Sequence, residues 1–323
     1  MSRPCPPSDV ALAGRALWTR SGQPGPQGSR REQRSVIGRS ARHLLHEFDL
    51  DLGARRIQPG DCGYGGFCKS VRRGRIGRVT PEQAAANAKA SLAAIVGAFA
   101  ESPQTLRRAR LLGLSGWAYH VSARAGALGD VRPETVAAAV AFIAPEAVTE
   151  GWEATAKSSQ PSEVATWHLR ELCTWGAEQV GGFPRLTRLL ELAERVVGAV
   201  DPAGLPLFAA WRAMPVPSQE PGARAAMLLH LLHEHRQGVY VIAVRAGGLT
   251  PLEAIMAGPE GETGAVALGW QAPYPSAGPL VRRLMWAEAV ANSLAGQAYG
   301  TLDRPERVEF AGLLESLGHR LVR

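Results

Sequence analysis

The sequence predicts an all-α protein. It reads as a multi-helical globular body with two helix-turn-helix-like pseudo-repeats, preceded by a mostly disordered basic tail. Three observations lead there. No segment sustains the period-two alternation of a half-buried strand, whereas apolar residues recur at three-to-four spacing along most of the chain after residue 78. Proline repeatedly falls where a helix would begin, as in Thr80-Pro81, Arg132-Pro133 and Thr250-Pro251. The stretch His230–Trp270 reads as one long helix, a Gly247-Gly248 turn and a second helix start.

Composition separates tail from body. The chain has 323 residues and a net charge of +7. Residues 1–78 hold 15 of the 36 Lys and Arg but 6 of the 29 Asp and Glu, leaving this segment at +9 and the remainder at −2. The tail is rich in Arg, Gly, Pro and Ser and too poor in apolar periodicity to offset chain entropy by burial. Within it, Ser35 to Leu50 could form a short amphipathic helix through Ile37, Leu44, Leu45 and Phe48. Two readings of the tail compete. In one it is a basic arm that contacts nucleic-acid phosphates. In the other, translation starts at Val79 and the tail is not made; an Ala-, Arg- and Gly-rich chain suits a high-GC genome, whose upstream frames are often Arg-rich. The second is the favoured expectation.

Three of the four cysteines, Cys5, Cys62 and Cys68, lie in the tail, and their spacing matches neither a disulfide framework nor a zinc pattern. No apolar run approaches the roughly 20 residues that cross a bilayer. The amino terminus lacks the apolar core of a secretory signal. A cytoplasmic protein without membrane association is the expectation.

The body follows in order. Thr80-Pro-Glu-Gln83 is a capping-box start for a helix through KASLAAIVGAFA. Short helices follow over Thr105–Leu112 and about Gly116–Ala125, and Pro133 and Pro145 each stand near the first turn of another. Ser162-Glu163 opens a long helix, and Phe183–Val200 is amphipathic through Leu186, Leu189, Leu190, Leu192, Val196 and Val197. Asp201-Pro202-Ala-Gly204 ends it, and a short helix starts at Leu205. A Pro-rich segment, Met214–Gly222, divides a first helical half, 79–213, from a second, 222–323, the two expected to share one core. GVYVIAV has strand propensity, but its flanks HEHRQ and RAG continue a helix. After Gly247-Gly248, Thr250 and Glu253 form a second capping box around Pro251. The loop Trp270–Pro275 and helices near 278–299 and 303–322 complete about a dozen helices.

A fainter copy of the second half's centre lies upstream. Tyr119, Arg124, Gly126 and Leu128 keep the order and spacing of Tyr240, Arg245, Gly247 and Leu249. Each set is followed by a proline-led helix start and then by a Gly-Trp pair, Gly151-Trp152 and Gly269-Trp270. An internal duplication would account for the shared order; the alternative is chance matching in a chain so rich in Ala, Arg and Gly.

Residues 79–323 resemble a family of uncharacterised bacterial proteins labelled helix-turn-helix-like. The resemblance rests on VTPEQAAANAK, GLSGWAYHVSARAGALGDV, DPAGLPLFAAWRAMPVP, EHRQG, AVRAGGLTPLEAIMAGP and GWQAPYP. It covers the body and none of the tail, and the family's usual start coincides with Val79. The resemblance implies the fold and a DNA association. It brings no catalytic residue with it.

The residues themselves support DNA binding weakly. Pro251-Leu-Glu-Ala-Ile-Met-Ala-Gly, the candidate recognition helix, holds one acid and no base, and Pro133–Phe142 is similar. Both read as buried. The candidate nucleic-acid contacts are the clusters Arg107, Arg108, Arg110 and Arg282, Arg283, although such clusters are more often solvated faces. The alternative is a cleft between the halves, lined by Tyr119, Arg124, Trp152, Glu234, His235, Arg236, Tyr240, Arg245 and Trp270. There the two arginines would converge on a small anionic ligand, in a binding protein or a cofactor-free enzyme. Against this, the arginines could tie helix ends to buried acids, and the tryptophans could be core.

His230, His233, Glu234 and His235 do not form H-E-x-x-H, and no further ligand stands at metal spacing, so no metal is expected. No nucleophile elbow, phosphate loop or dinucleotide fingerprint is present, and no cofactor is expected. The sequence points first to a non-enzymatic binding or regulatory protein.

Overall fold

Proline starts eight of the thirteen α-helices among the described residues. Its ring presets the helical φ, and the first turn has no use for its missing N–H. The computed structural model describes residues 79–322. The helices are α1 (Pro81–Ala100), α2 (Pro103–Leu111), α3 (Gly116–Ala125), α4 (Pro133–Val140), α5 (Pro145–Ala156), α6 (Pro161–Trp175) and α7 (Leu186–Gly198). There follow α8 (Pro206–Ala213), α9 (Pro221–Ala246), α10 (Pro251–Ala257), α11 (Gly261–Ala267), α12 (Val281–Tyr299) and α13 (Arg304–Leu321). No strand occurs among the described residues. The tail's disorder, its Ser35–Leu50 helix and its three cysteines all concern residues outside the described ones.

The helix starts work as their residues require. Thr80 accepts from Gln83 N at 3.3 Å, while the Gln83 side chain accepts from Thr80 N at 3.0 Å. Thr250 with Glu253 and Asp303 with Glu306 repeat that reciprocal cap. Two boundaries differ from the sequence expectation: α2 begins at Pro103 and not at Thr105, since Ser102 caps it, and the start of α7 is shifted. The amphipathic helix begins at Leu186, not at Phe183, because a residue before proline is driven out of the helical region. Phe183 is buried in the preceding turn instead. The short α11 was not expected, since GETGAVA is brief and glycine-interrupted.

α9 is the axis of the body. Its 26 residues are buried on several sides at once, with Leu229, Leu232, Ala243 and Val244 at 1% exposure or less. One apolar cluster joins α9 to α1, α6, α7, α8, α12 and α13; Phe99, Trp175, Phe208, Trp211, Tyr299 and Phe310 are among its large members. A second joins α9 to α3, α4, α5, α10, α11 and α12 around Ile143, Val148, Leu249 and Ile255. Residues from both sides of Met214–Gly222 therefore enter both clusters. Near its start, α9 crosses the π-helical segment Gly176–Val180 backbone to backbone. A Cβ on Gly176 would lie 2.5 Å from Ala226 Cβ and 2.6 Å from Gly222 O, so only glycine permits the crossing.

The two stretches that align in sequence each place a helix, a glycine turn and a proline-led helix in that order, and then differ. Gly248 takes the left-handed conformation (φ 68°) immediately after α9, whereas after α3 a 3-10 turn, Gly126–Leu128, intervenes before Gly129 does so (φ 83°). Gly151-Trp152 lies inside α5, while Gly269-Trp270 follows α11 in a turn.

Candidate functional site

The first candidate is the corner between α9 and α10. The two helices meet at 96°, within the range of a helix-turn-helix. Gly248 makes the turn, and Leu249, fully buried, anchors it in the core. The Thr250 N–H donates to Glu253 Oε2 at 2.7 Å. Arginines occupy the turn's outer side. Arg283 of α12 donates to Gly247 O at 3.1 Å and Gly248 O at 2.9 Å, and Arg245 donates to Leu249 O at 3.0 Å. These carbonyls sit at the negative end of α9, where cations are favoured. Arg282 is exposed beside them, as are Met285 (68%) and Trp286 (50%). Among the described residues no carboxylate lies within 4.0 Å of Arg245, Arg282 or Arg283, though Glu253 feels the charges of Arg283 and Arg245. α10 itself presents no base; Ala254 and Ile255 are buried, and its other side chains are partly so.

The second candidate lies in the interior. Arg124 of α3 and Glu234 of α9 form a two-point ion pair, Nε to Oε1 at 2.8 Å and Nη2 to Oε2 at 3.0 Å. Burial alone would raise the Glu234 carboxyl, but the Arg124 charge and hydrogen bonds outweigh it and hold it at about 2. Trp211, fully buried, donates through Nε1 to Arg124 O at 3.0 Å and packs edge-on to His230 at 4.6 Å. Tyr119 Oη and His168 Nδ1 are 3.2 Å apart. Desolvation keeps the surrounding imidazoles neutral: His120, His233 and His235 are lowered to about 4 and His168 to about 3. A cavity of about 20 Å³, room for one water, opens between Arg124, Phe142, Leu205, Phe208 and Glu234. Among the described residues no group of three or more His, Cys, Asp or Glu is arranged to hold a metal ion.

The cleft residues expected from sequence divide among separate places. Arg124 points inward to Glu234, while Arg245 is exposed at the turn, so the two arginines do not converge. The reason is position: Arg124 stands opposite α9, whereas Arg245 lies in the last turn of α9 and reaches the Leu249 carbonyl in the turn that follows. Trp152 donates to Val131 O at 3.2 Å and Trp270 to Phe142 O at 2.7 Å, each tying a loop or helix end to the core. Tyr240 stacks on Phe142 at 5.3 Å, and His235 packs near Phe208 at 5.9 Å. Arg236 turns to Glu288 of α12 at 2.9 Å, forming a separate polar cluster with Lys89. In the first basic cluster Arg108 is bound to Glu171, leaving Arg107 and Arg110 exposed. Sequence reasoning missed Lys89, His168, Glu288 and Asn292. Each is a single polar residue on an otherwise ordinary helix, with no local pattern to distinguish it.

A model of a helix-turn-helix family matches residues 85–292, more than half of the chain. No curated protein and no solved structure was found to match it. Among the described residues no single helix is long and apolar enough to cross a membrane.

Proposed function

The chain belongs to the helix-turn-helix family, and on that premise we propose that it is a binding and regulatory module that associates with duplex DNA through arginine–phosphate contacts. The contacts run through the corner of α9 and α10, and the setting is cytoplasmic. One observation carries this reading. Arg245, Arg282 and Arg283 gather on the outer side of the corner with no carboxylate at ion-pair distance among the described residues. Guanidinium groups so placed suit phosphate oxygens. α10 has no side chain able to donate to base edges in the major groove beyond its backbone, so the association is tolerant of sequence.

The test is binding of the full chain to random-sequence duplex DNA by fluorescence anisotropy across a salt series. Each phosphate contact contributes about 0.9 to the slope of log affinity against log salt. The double variant Arg282→Gln, Arg283→Gln should reduce that slope by about 2. The tail, at +9, is present in both proteins and cancels in the comparison. An unchanged slope would assign any binding to the tail and end this reading of the corner.

A further inference from the structure

Trp286 of α12 stands apart from the other aromatic side chains. It is half exposed, whereas every other tryptophan among the described residues is buried or half-buried in the core or at its edge. No other ring packs on it among the described residues. Met285 beside it is exposed as well, and so is Val281 one turn earlier. An apolar patch left in water and rimmed by charge marks an interaction surface. The indole lies against the corner of α9 and α10: a Cβ on Gly247 would be 3.4 Å from Trp286 Cε3. Arg283 donates to the carbonyl of that same Gly247, and Arg245 reaches the turn from α9. Arg282 and Arg283 precede Trp286 by four and three positions, the spacings that make side chains neighbours on a helix surface. Glu288, the one acid in the α12 sequence, turns away to Lys89 and Arg236. The exposed positions Val281, Arg282, Met285, Trp286, Ala289 and Ser293 therefore form a face without negative charge.

We propose that the corner takes DNA in which a base is unpaired, with that base stacked on Trp286 and the flanking phosphates held by Arg282 and Arg245. The proposal rests on the reading of the corner as a DNA-binding surface and adds the form of DNA it prefers. A fully paired duplex offers phosphates but keeps its base faces inside the stack. A gap or a single-stranded stretch offers both. An aromatic ring beside cations is the arrangement that holds single strands, and it is indifferent to sequence because every base has a π face. That agrees with α10, which has no side chain to donate to base edges. Charge also decides between occupants of the patch. A second copy meeting it across a two-fold axis would bring Arg245, Arg282 and Arg283 against their own counterparts, whereas a polyanion neutralises them.

The experiment uses the full-length protein and two DNA probes with identical phosphates. One is a duplex with a short gap that exposes thymines; in the other the gap nucleotides are abasic. Binding is followed by fluorescence anisotropy across a salt series. The ratio of the two affinities reads base stacking, and the slope against salt reads the arginine–phosphate contacts, so failure of either is seen separately. The tail, at +9, meets the same phosphates in both probes and drops out of the ratio. The thymine gap should bind about tenfold more tightly than the abasic gap, with equal salt slopes. Trp286→Ala should bring the ratio to unity and leave the slope unchanged, and Trp286→Phe should keep part of the preference. Arg282→Gln with Arg283→Gln should lower the slope for both probes and keep most of the ratio. Three outcomes overturn the proposal: equal affinities of the wild type for the two probes, an undiminished ratio in Trp286→Ala, or sedimentation showing a wild-type dimer that Trp286→Ala turns into a monomer, which would give the patch to a second copy.

Discussion

Arg124 and Glu234, separated by 110 positions in the chain, close on each other through two parallel hydrogen bonds in the interior. The Glu234 side chain is 2% exposed and the Arg124 side chain 19%. This pair clamps α3 to the middle of α9, and Trp211 adds a bond to the Arg124 backbone.

Breaking that clamp from one side should be severe. Arg124→Ala leaves a buried carboxylate without its partner, at a cost of about 3–5 kcal/mol. Glu234→Gln strands the guanidinium in the same way. The double variant Arg124→Met, Glu234→Leu should recover much of that loss, because it removes both charges together. Urea unfolding of the three variants measures the difference, and equal losses in all three would contradict it.

Acid should unfold the protein early. His120, His233 and His235 titrate near 4 in the folded chain, against 6.5 when exposed. As pH falls, the unfolded chain therefore takes up protons first. Stability is whole above pH 6.5 and declines as pH drops from 6.5 towards 4, on the order of 3 kcal/mol for each imidazole at the limit. Denaturation curves at pH 7.5, 6.5, 5.5 and 4.5 would show the slope, and His233→Asn should flatten part of it.

The corner tolerates little change at Gly248. Its φ of 68° strains any residue with a Cβ, and an added Cβ would lie 2.5 Å from Arg283 Nη2. Gly248→Ala should cost about 1 kcal/mol and displace the Arg283 side chain from the turn. Thr250→Ala, which removes the cap of α10, should cost about 1 kcal/mol as well. The two substitutions can be compared by thermal melting, where a neutral Gly248→Ala would refute the turn geometry.

The crossing of Gly176 with α9 predicts a larger effect. Gly176→Ala meets backbone and Cβ atoms of α9, not the end of a flexible side chain. The helices must part, at a cost of about 1–3 kcal/mol or more. Gly198→Ala, whose Cβ would meet nothing within 4 Å, is the matched control and should be neutral or stabilising.

Much of the local structure was legible in the chain itself. The caps at Thr80 and Thr250, the prolines at helix starts and the continuation of α9 through GVYVIAV all express interactions between residues three or four apart. Those interactions have the same sign wherever the segment lies. The turn at Gly248 and the amphipathic face of α7 belong to the same class.

The destinations of the polar side chains did not follow from such patterns. Tyr119 and Tyr240, or Arg124 and Arg245, match in sequence and part in space. One arginine lies across from Glu234, while the other reaches a carbonyl in the turn just beyond its own helix. Lys89, Arg236 and Glu288 meet only because three helices far apart in the chain pack together. Local chemistry decides where a helix begins and which way it turns. Which charge meets which is decided by long-range packing, because a buried ion takes whatever partner the completed core brings within reach.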